Sequence, residues 1–214
     1  PLAEALENHL VGCQVDIVEN MVDTEFFTPG DEKPPEDEFI ICTIAGLEPK
    51  KGIDILVQAF SSTFKGDPVR LRIVGDGSQR SALEEQVHGS GIAAQVEFHG
   101  RLTRKGVREA LRQSHALVSA SLVETFGISL IEALSCGKPV VATRSGGPQA
   151  IINKDNGILV QAGDSVALAE GLQRMVREYQ DFDPLQIRAN CQAIYSEQVI
   201  VHRLETIYKS LVYS

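Results

Sequence analysis

Two glutamates, Glu124 and Glu132, stand on either side of a glycine turn in the segment ETFGISLIE. Gly127 comes directly before a run with helical spacing of apolar residues. The unpaired N–H groups and partial positive charge of a helix N-terminus favour a bound phosphate, and glycine lets such a ligand approach the backbone closely. We therefore expect the backbone amides of residues 127–129 to hold an anion.

The two carboxylates suit the hydroxyl groups of a sugar nucleotide, because carboxylate oxygens accept hydrogen bonds from neighbouring hydroxyls. With a phosphate at the glycine turn, Glu132 would accept from ribose hydroxyls and Glu124 from sugar hydroxyls. Each acid also has an ordinary structural explanation. Glu124 would complement the helix dipole, and Glu132 would be a solvated residue on the helix surface. The residue pattern leaves both explanations open.

A lysine lies in a second loop that contains glycine and precedes a predicted helix. Lys51 is the second-last residue of the segment AGLEPKKG, which follows one apolar run and precedes a helical repeat. If this loop lies at the same edge of the domain as the glycine turn, the ammonium group of Lys51 would neutralise a departing phosphate there. The alternative is a solvated loop lysine, since Lys50 beside it has the same charge.

Other motifs are weaker. Gly75 and Gly77 follow a predicted strand as a dinucleotide-binding fingerprint does, but Arg80 occupies the position of the third glycine. His99 and His115 have no second ligand at metal spacing, so we expect structural roles for both and no metal site. The sequence also lacks a nucleophile elbow and a Walker lysine motif.

From residue 39 onwards, short apolar runs alternate with helical repeats. The predicted strands are FIICTI, LRIVG, VEFHG, ALVSAS, PVVAT and GILVQ. Helices are expected between the first five of these strands, then over Val166–Tyr179 and from about Asp183 to Val212, with an interruption near Ser196. Uniformly apolar strands joined by helices predict an α/β fold, a Rossmann-like doubly wound parallel sheet with helices on both faces. Ligands of such sheets bind at the carboxyl ends of the strands, where the loops described above fall.

The first residues differ in composition from the rest. The stretch PGDEKPPEDE is typical of an exposed connector. We therefore assign residues 1–36 to a lead-in segment and interdomain linker, and residues 37–214 to the domain. The opening segment PLAEALENHL resembles the end of a longer structure, and we expect the N-terminus to be an excision from a larger protein.

Composition argues against several classes of function. The 214 residues suit one large α/β domain, and a net charge of -9 disfavours nucleic acid as a partner. We expect neither a transmembrane span nor a secretory leader, because no long apolar run is present. Its cysteines are widely spaced and predict free thiols in a reducing, cytoplasmic location. They are Cys13, Cys42, Cys136 and Cys191.

These segments resemble the C-terminal, donor-binding domain of family 4 of the retaining glycosyltransferases, which have the GT-B fold of two facing Rossmann-like domains. The resemblance covers nearly the whole chain. Its segments, in the family's order, are IVENMVDTEFFTPG, KKGIDILVQAF, LRIVGDG, VEFHGRL, ETFGISLIEALSCGKPVVATRSGG and DNGILV. Two glutamates eight positions apart, followed by CGKPVVAT, form its most specific part.

The resemblance implies a site for a nucleoside diphosphate sugar. Glu124 would contact the donor sugar and Lys51 the diphosphate, as the catalytic pair, and Glu132 would bind the ribose. Residues 100–102 would flank the base. The further donor-binding residues are Gly46, Gly75, Gly100, Arg101, Leu102, Phe126, Gly127, Ile128 and Ser129. The resemblance also implies retention of configuration, no cofactor, and an acceptor bound by an N-terminal domain outside this chain. Peripheral membrane contact by the parent enzyme is compatible with it.

Two positions depart from the family pattern. Gly46 stands where an arginine is common, five positions before Lys51, so diphosphate stabilisation would rest on Lys51 with help from Lys50 or Arg101. Ala150 stands where an acid is frequent.

We therefore expect the parent protein to be a hexosyltransferase, and the isolated chain to bind donor without turnover. Three alternatives stay open. A nucleotide-sugar 2-epimerase shares the fold but lacks the pair of glutamates, and a dinucleotide-binding domain would need a more complete glycine fingerprint. A non-catalytic interaction module is the third, which the glycine at position 46 favours.

Overall fold

The computed structural model describes residues 16–31 and 34–212. At its centre is a six-stranded parallel sheet in the order β3-β2-β1-β4-β5-β6. The strands are β1 (Phe39–Ile44), β2 (Val69–Val74), β3 (Val96–Gly100), β4 (Ala116–Ser119), β5 (Val140–Thr143) and β6 (Gly157–Val160). The order reverses between β1 and β4, and ligands of such sheets bind in the crevice at this reversal. The predicted sheet is confirmed.

Helices cover both faces of the sheet, as predicted. They are α1 (Ile53–Phe64), α2 (Arg80–Ser90), α3 (Arg104–Arg112), α4 (Ile128–Ser135), α5 (Pro148–Ile151), α6 (Ser165–Glu178), α7 (Pro184–Tyr195) and α8 (Glu197–Val212). One face carries α1, α2 and α6, and the other carries α3, α4, α5 and α7. Of these helices, α5 is the one that the sequence does not predict, because four residues are too few to show a helical period.

Two hydrophobic cores follow from the alternation of side chains along each strand. In β1, the buried side chain of Ile41 belongs to one core, and the buried Cys42 belongs to the other. Strands buried on both faces read as largely apolar runs, as in β1, β4 and β5, whereas the partly exposed positions of β2 and β3 carry charged residues. The two cores thus fix the central strands. They also fix the edge of the sheet at the carboxyl ends of the strands, from which the functional loops leave and which we call the rim.

Composition predicts that no helix spans a membrane and that the cysteines are free thiols. None of the described helices combines the length and apolar character that crossing a bilayer requires. The described cysteines, Cys42, Cys136 and Cys191, are buried and free. Cys13 lies outside the described residues.

Residues 22–28, which we name the strap, lie across the second face of the domain. The side chains of Val22, Thr24 and Phe27 are buried there. Arg188 of α7 donates hydrogen bonds to the carbonyl oxygens of Phe27 at 2.9 Å, Thr24 at 2.9 Å and Ser135 at 2.6 Å. This part of the predicted linker is therefore packed against the domain through its backbone.

Replacing Arg188 with methionine should lower the free energy of unfolding by about 2–4 kcal/mol, because three carbonyl groups lose a charged donor. The matched control is Arg177→Met on α6, where a side chain that is 69% exposed pairs with the adjacent Glu178. The control should change stability by less than about 0.5 kcal/mol. Urea unfolding measures both, and equal effects would show that Arg188 does not hold the strap.

Candidate functional site

Lys51 and Glu124, the predicted catalytic pair, meet across the crevice between β1 and β4. Lys51 ends a short 3-10 turn after β1, and Glu124 lies in the loop after β4. The Lys51 Nζ atom is 2.6 Å from the Glu124 Oε2 atom, and the two side chains are only 22% and 17% exposed. The fold therefore brings these two residues together as a partly buried ion pair at the predicted rim.

Direct backbone packing holds these two loops side by side. Gly52, directly after the lysine, has φ +60°, and a Cβ atom there would lie 2.3 Å from the carbonyl oxygen of Ala120. The backbone N–H of Leu122 donates to the carbonyl oxygen of Lys50 at 2.8 Å. Any side chain at position 52 would separate the loops, so the glycine keeps the ammonium group beside the second loop.

The start of α4 has the geometry that an anion site needs. Gly127 precedes it with φ +105°, and in the part of the chain that the structure describes no side chain caps this N-terminus. Ile128 is 50% exposed, so the first turn of the helix is open to ligands. The first turn of α4 therefore lies beside the loop that carries Glu124, with its backbone amides open to an anion.

The loop after β5 supports the glycine turn before α4 through contacts that the sequence does not predict. The N–H of Glu124 donates to the carbonyl oxygen of Ser145 at 2.9 Å, and the N–H of Gly147 donates to the carbonyl oxygen of Glu124 at 2.8 Å. A Cβ atom on Gly147 would lie 2.3 Å from the carbonyl oxygen of Phe126. The glycine pair in TRSGGP was the available signal, because such close approach requires glycine.

Glu132 lies in the second turn of α4 and is partly buried. Burial raises the pKa of its carboxyl to about 7, and the charge of Arg104 offsets part of this effect. Arg104 is itself held by the strap, 3.1 Å from the carboxylate of Asp23 and 4.4 Å from the centroid of the Phe26 ring. A solvated surface role therefore does not fit Glu132.

The remaining predicted donor residues lie along the same rim. The N–H of Gly75, after β2, donates to the carbonyl oxygen of Gly100 at 2.8 Å. Arg101 is exposed and Leu102 is partly buried in the loop that precedes α3. These residues form the β2–β3 end of the rim.

Gly46 is exposed and is not required by packing. A Cβ atom there would meet nothing closer than the Glu48 Cγ atom at 3.9 Å and the Asp76 carbonyl oxygen at 4.0 Å. A Cβ atom is therefore accommodated at this position, and close packing at Cβ does not account for the missing cation. Ala150, in the short helix α5, is also exposed.

The two histidines considered as ligands have structural contacts. The His115 Nδ1 atom accepts a hydrogen bond from the Ile40 N–H at 3.0 Å, and burial, with the charge of Lys138, lowers its pKa to about 4. His99 lies 3.1 Å from the Glu97 carboxylate. Among residues 16–31 and 34–212, no three His, Cys, Asp or Glu side chains converge as metal ligands.

A cleft of about 610 Å³ lies at the opposite edge of the sheet, where β1 and β2 begin. Its described lining includes the acids Glu36, Asp37, Glu38 and Asp67, and no lysine or arginine. A diphosphate would be repelled there. The acidic lining of this cleft therefore does not fit the anionic ligand that the sequence predicts.

The raised pKa of Glu132 gives a test of its burial. Because the pKa rises from 4.5 to about 7 on folding, the stability that protonated Glu132 contributes is present below pH 4.5 and is lost as the pH rises through 7. Glu132→Gln removes this loss. The variant should therefore gain about 2–3 kcal/mol relative to wild type between about pH 5 and about pH 8. Urea unfolding across this range checks it, and a difference that does not vary with pH would contradict the burial.

Sequence comparison identifies a protein family that matches this chain. The family model of glycosyl transferases group 1 matches residues 25–191. One component of the phosphatidylinositol N-acetylglucosaminyltransferase of Arabidopsis thaliana is 29% identical over 204 residues, which cover 95% of this chain and 45% of that protein. The chain thus spans less than half the length of this relative.

Solved structures share the fold. Sucrose-phosphate synthase of Thermosynechococcus elongatus superposes with a TM-score of 0.86 at 26% identity, covering 98% of this chain and 56% of that one. Anabaena HepE in complex with UDP gives a TM-score of 0.79 at 22% identity, covering 93% and 57%. The doubly wound sheet and the two glutamates of the rim are consistent with the family match. The chain belongs to the glycosyl transferases group 1 family, as its match to the family model shows.

Proposed function

We propose that this chain is the donor-binding domain of a hexosyltransferase, which moves a sugar from a nucleoside diphosphate to an acceptor with retention of configuration. The observation that carries the proposal is the Lys51–Glu124 pair beside the uncapped start of α4. These groups offer a cation, hydrogen-bond donors for an anion and a hydroxyl acceptor in one place. The acceptor would be bound by an N-terminal domain outside this chain, and the chain alone would bind donor without turnover.

Each group has a role that follows from its charge. The diphosphate would lie against the amides of residues 127–129, with Lys51 as its counter-charge. When the bond to the sugar breaks, negative charge grows on the departing diphosphate, and a fixed ammonium and a helix N-terminus stabilise it. Glu124 would accept a hydrogen bond from a sugar hydroxyl and Glu132 from the ribose. In this proposal the protein itself supplies the positive charge, and no metal cofactor takes part.

The nucleotide and its setting are part of the same proposal. The backbone of Gly75 and of residues 100–102 would flank the base, and UDP is the first candidate because HepE, which shares the fold, was determined in complex with UDP. N-acetylglucosamine is one candidate sugar, from the name of the Arabidopsis relative. The free buried thiols support a cytoplasmic location, where the parent enzyme would contact membranes only peripherally.

Calorimetric titration with UDP, GDP, ADP and NADH tests the proposal. We expect one nucleoside diphosphate to bind at millimolar concentration or below. Glu132→Ala should weaken this binding about tenfold, because a hydrogen-bonded carboxylate contact is worth roughly 1–2 kcal/mol. Glu170→Ala, which removes an exposed acid on α6, is the matched control and should leave the affinity unchanged.

Three outcomes would contradict the proposal. A folded chain that binds none of the diphosphates would show that the rim is not a donor site. Binding of NADH alone would favour a dinucleotide-binding domain. Formation of an epimer when the full-length protein is incubated with UDP-N-acetylglucosamine would favour the 2-epimerase.

A further inference from the structure

The ion pair joins two groups that the proposed donor site needs for different parts of the ligand. Lys51 would bind the diphosphate and Glu124 the sugar, yet the ammonium and the carboxylate are 2.6 Å apart. A diphosphate on Lys51 would place its own negative charge beside that carboxylate. The carboxylate and the diphosphate therefore compete for one cation.

We propose that Glu124 makes the site selective for a nucleotide that carries a sugar over the bare nucleoside diphosphate, by competing for Lys51. This inference rests on the proposed function. A sugar supplies hydroxyl groups that hydrogen-bond Glu124 and take it away from the ammonium. A bare diphosphate supplies none, so it must displace Glu124 from Lys51 without a new partner. The same competition favours release of the diphosphate after the sugar has left.

The surroundings of the pair enforce this competition. Both side chains are mostly buried, so their attraction is screened less than that of a surface pair. Hydrogen bonds from Glu124 N to Ser145 and from Gly147 to Glu124 O fix the backbone, which leaves only side-chain rotation. Gly46 adds no cation to the loop that carries Lys51, and within the described residues Glu124 pairs with Lys51 rather than with the adjacent, exposed Lys50. Two other acids lie nearby, Glu48 in the loop after β1 and Asp76 in the loop after β2. Neither is paired with Lys51 in the described structure.

A double-mutant cycle on this chain tests the inference with UDP as the probe. Glu124→Gln should bind UDP about fivefold more tightly than wild type, since it frees Lys51 from a partly buried pair. In the Lys51→Gln background the same substitution should give a much smaller gain, because only the direct repulsion between Glu124 and the diphosphate is then relieved. Wild type should prefer UDP-glucose or UDP-N-acetylglucosamine to UDP, and Glu124→Gln should lose this preference.

The matched control is Glu48→Gln, which removes the same charge from the loop of Lys51. Its side chain accepts from the Ser78 hydroxyl at 3.0 Å rather than from the lysine, so its UDP affinity should change less than about twofold. Unchanged UDP affinity in Glu124→Gln would overturn the inference, as would an equal gain in the Lys51→Gln background or in Glu48→Gln. A wild type that binds neither sugar nucleotide better than UDP would also overturn it. These results leave the donor site intact, whereas a folded wild type that binds no nucleoside diphosphate would contradict the proposed function itself.

Discussion

Close contact of backbone with backbone at the carboxyl rim is the constraint on which the site depends. The loops after β1, β4 and β5 touch through Gly52 against Ala120 and Gly147 against Phe126, where a Cβ atom would lie 2.3 Å from a carbonyl oxygen in each case. Loops that approach so closely cannot shift independently, because protein interiors transmit small displacements. The reversal of strand order makes these loops neighbours, and the glycines bring them within reach of one ion pair.

The site also keeps charges where they cost stability. Glu132 is held in partly buried surroundings that raise its pKa to about 7, and Arg104 compensates only in part. Arg104 is fixed by Asp23 and the ring of Phe26, both in the strap. The strap that leads into the domain thus contributes to the electrostatics of the proposed ribose site. Perturbed carboxylates of this kind are common at functional sites, because they are retained for binding rather than for stability.

The sequence predicted the sheet well because burial on both faces forces apolar runs, and it predicted the start of α4 because Gly127 stands at a left-handed position. It could not predict the contact between Lys51 and Glu124, which are 73 residues apart and meet only through the sheet topology. Arg104 and Asp23 are 81 residues apart, so the burial of Glu132 was equally hidden. An isolated charged residue has no pattern of its own, and only packing decides whether it is solvated.

If the amides at the start of α4 are the anion-binding groups, amide NMR of the ¹⁵N-labelled chain during addition of UDP tests this most directly. We predict that the N–H signals of Gly127, Ile128 and Ser129 shift most, together with that of Lys51. Largest shifts at the acidic cleft where β1 and β2 begin, with these amides unmoved, would contradict it.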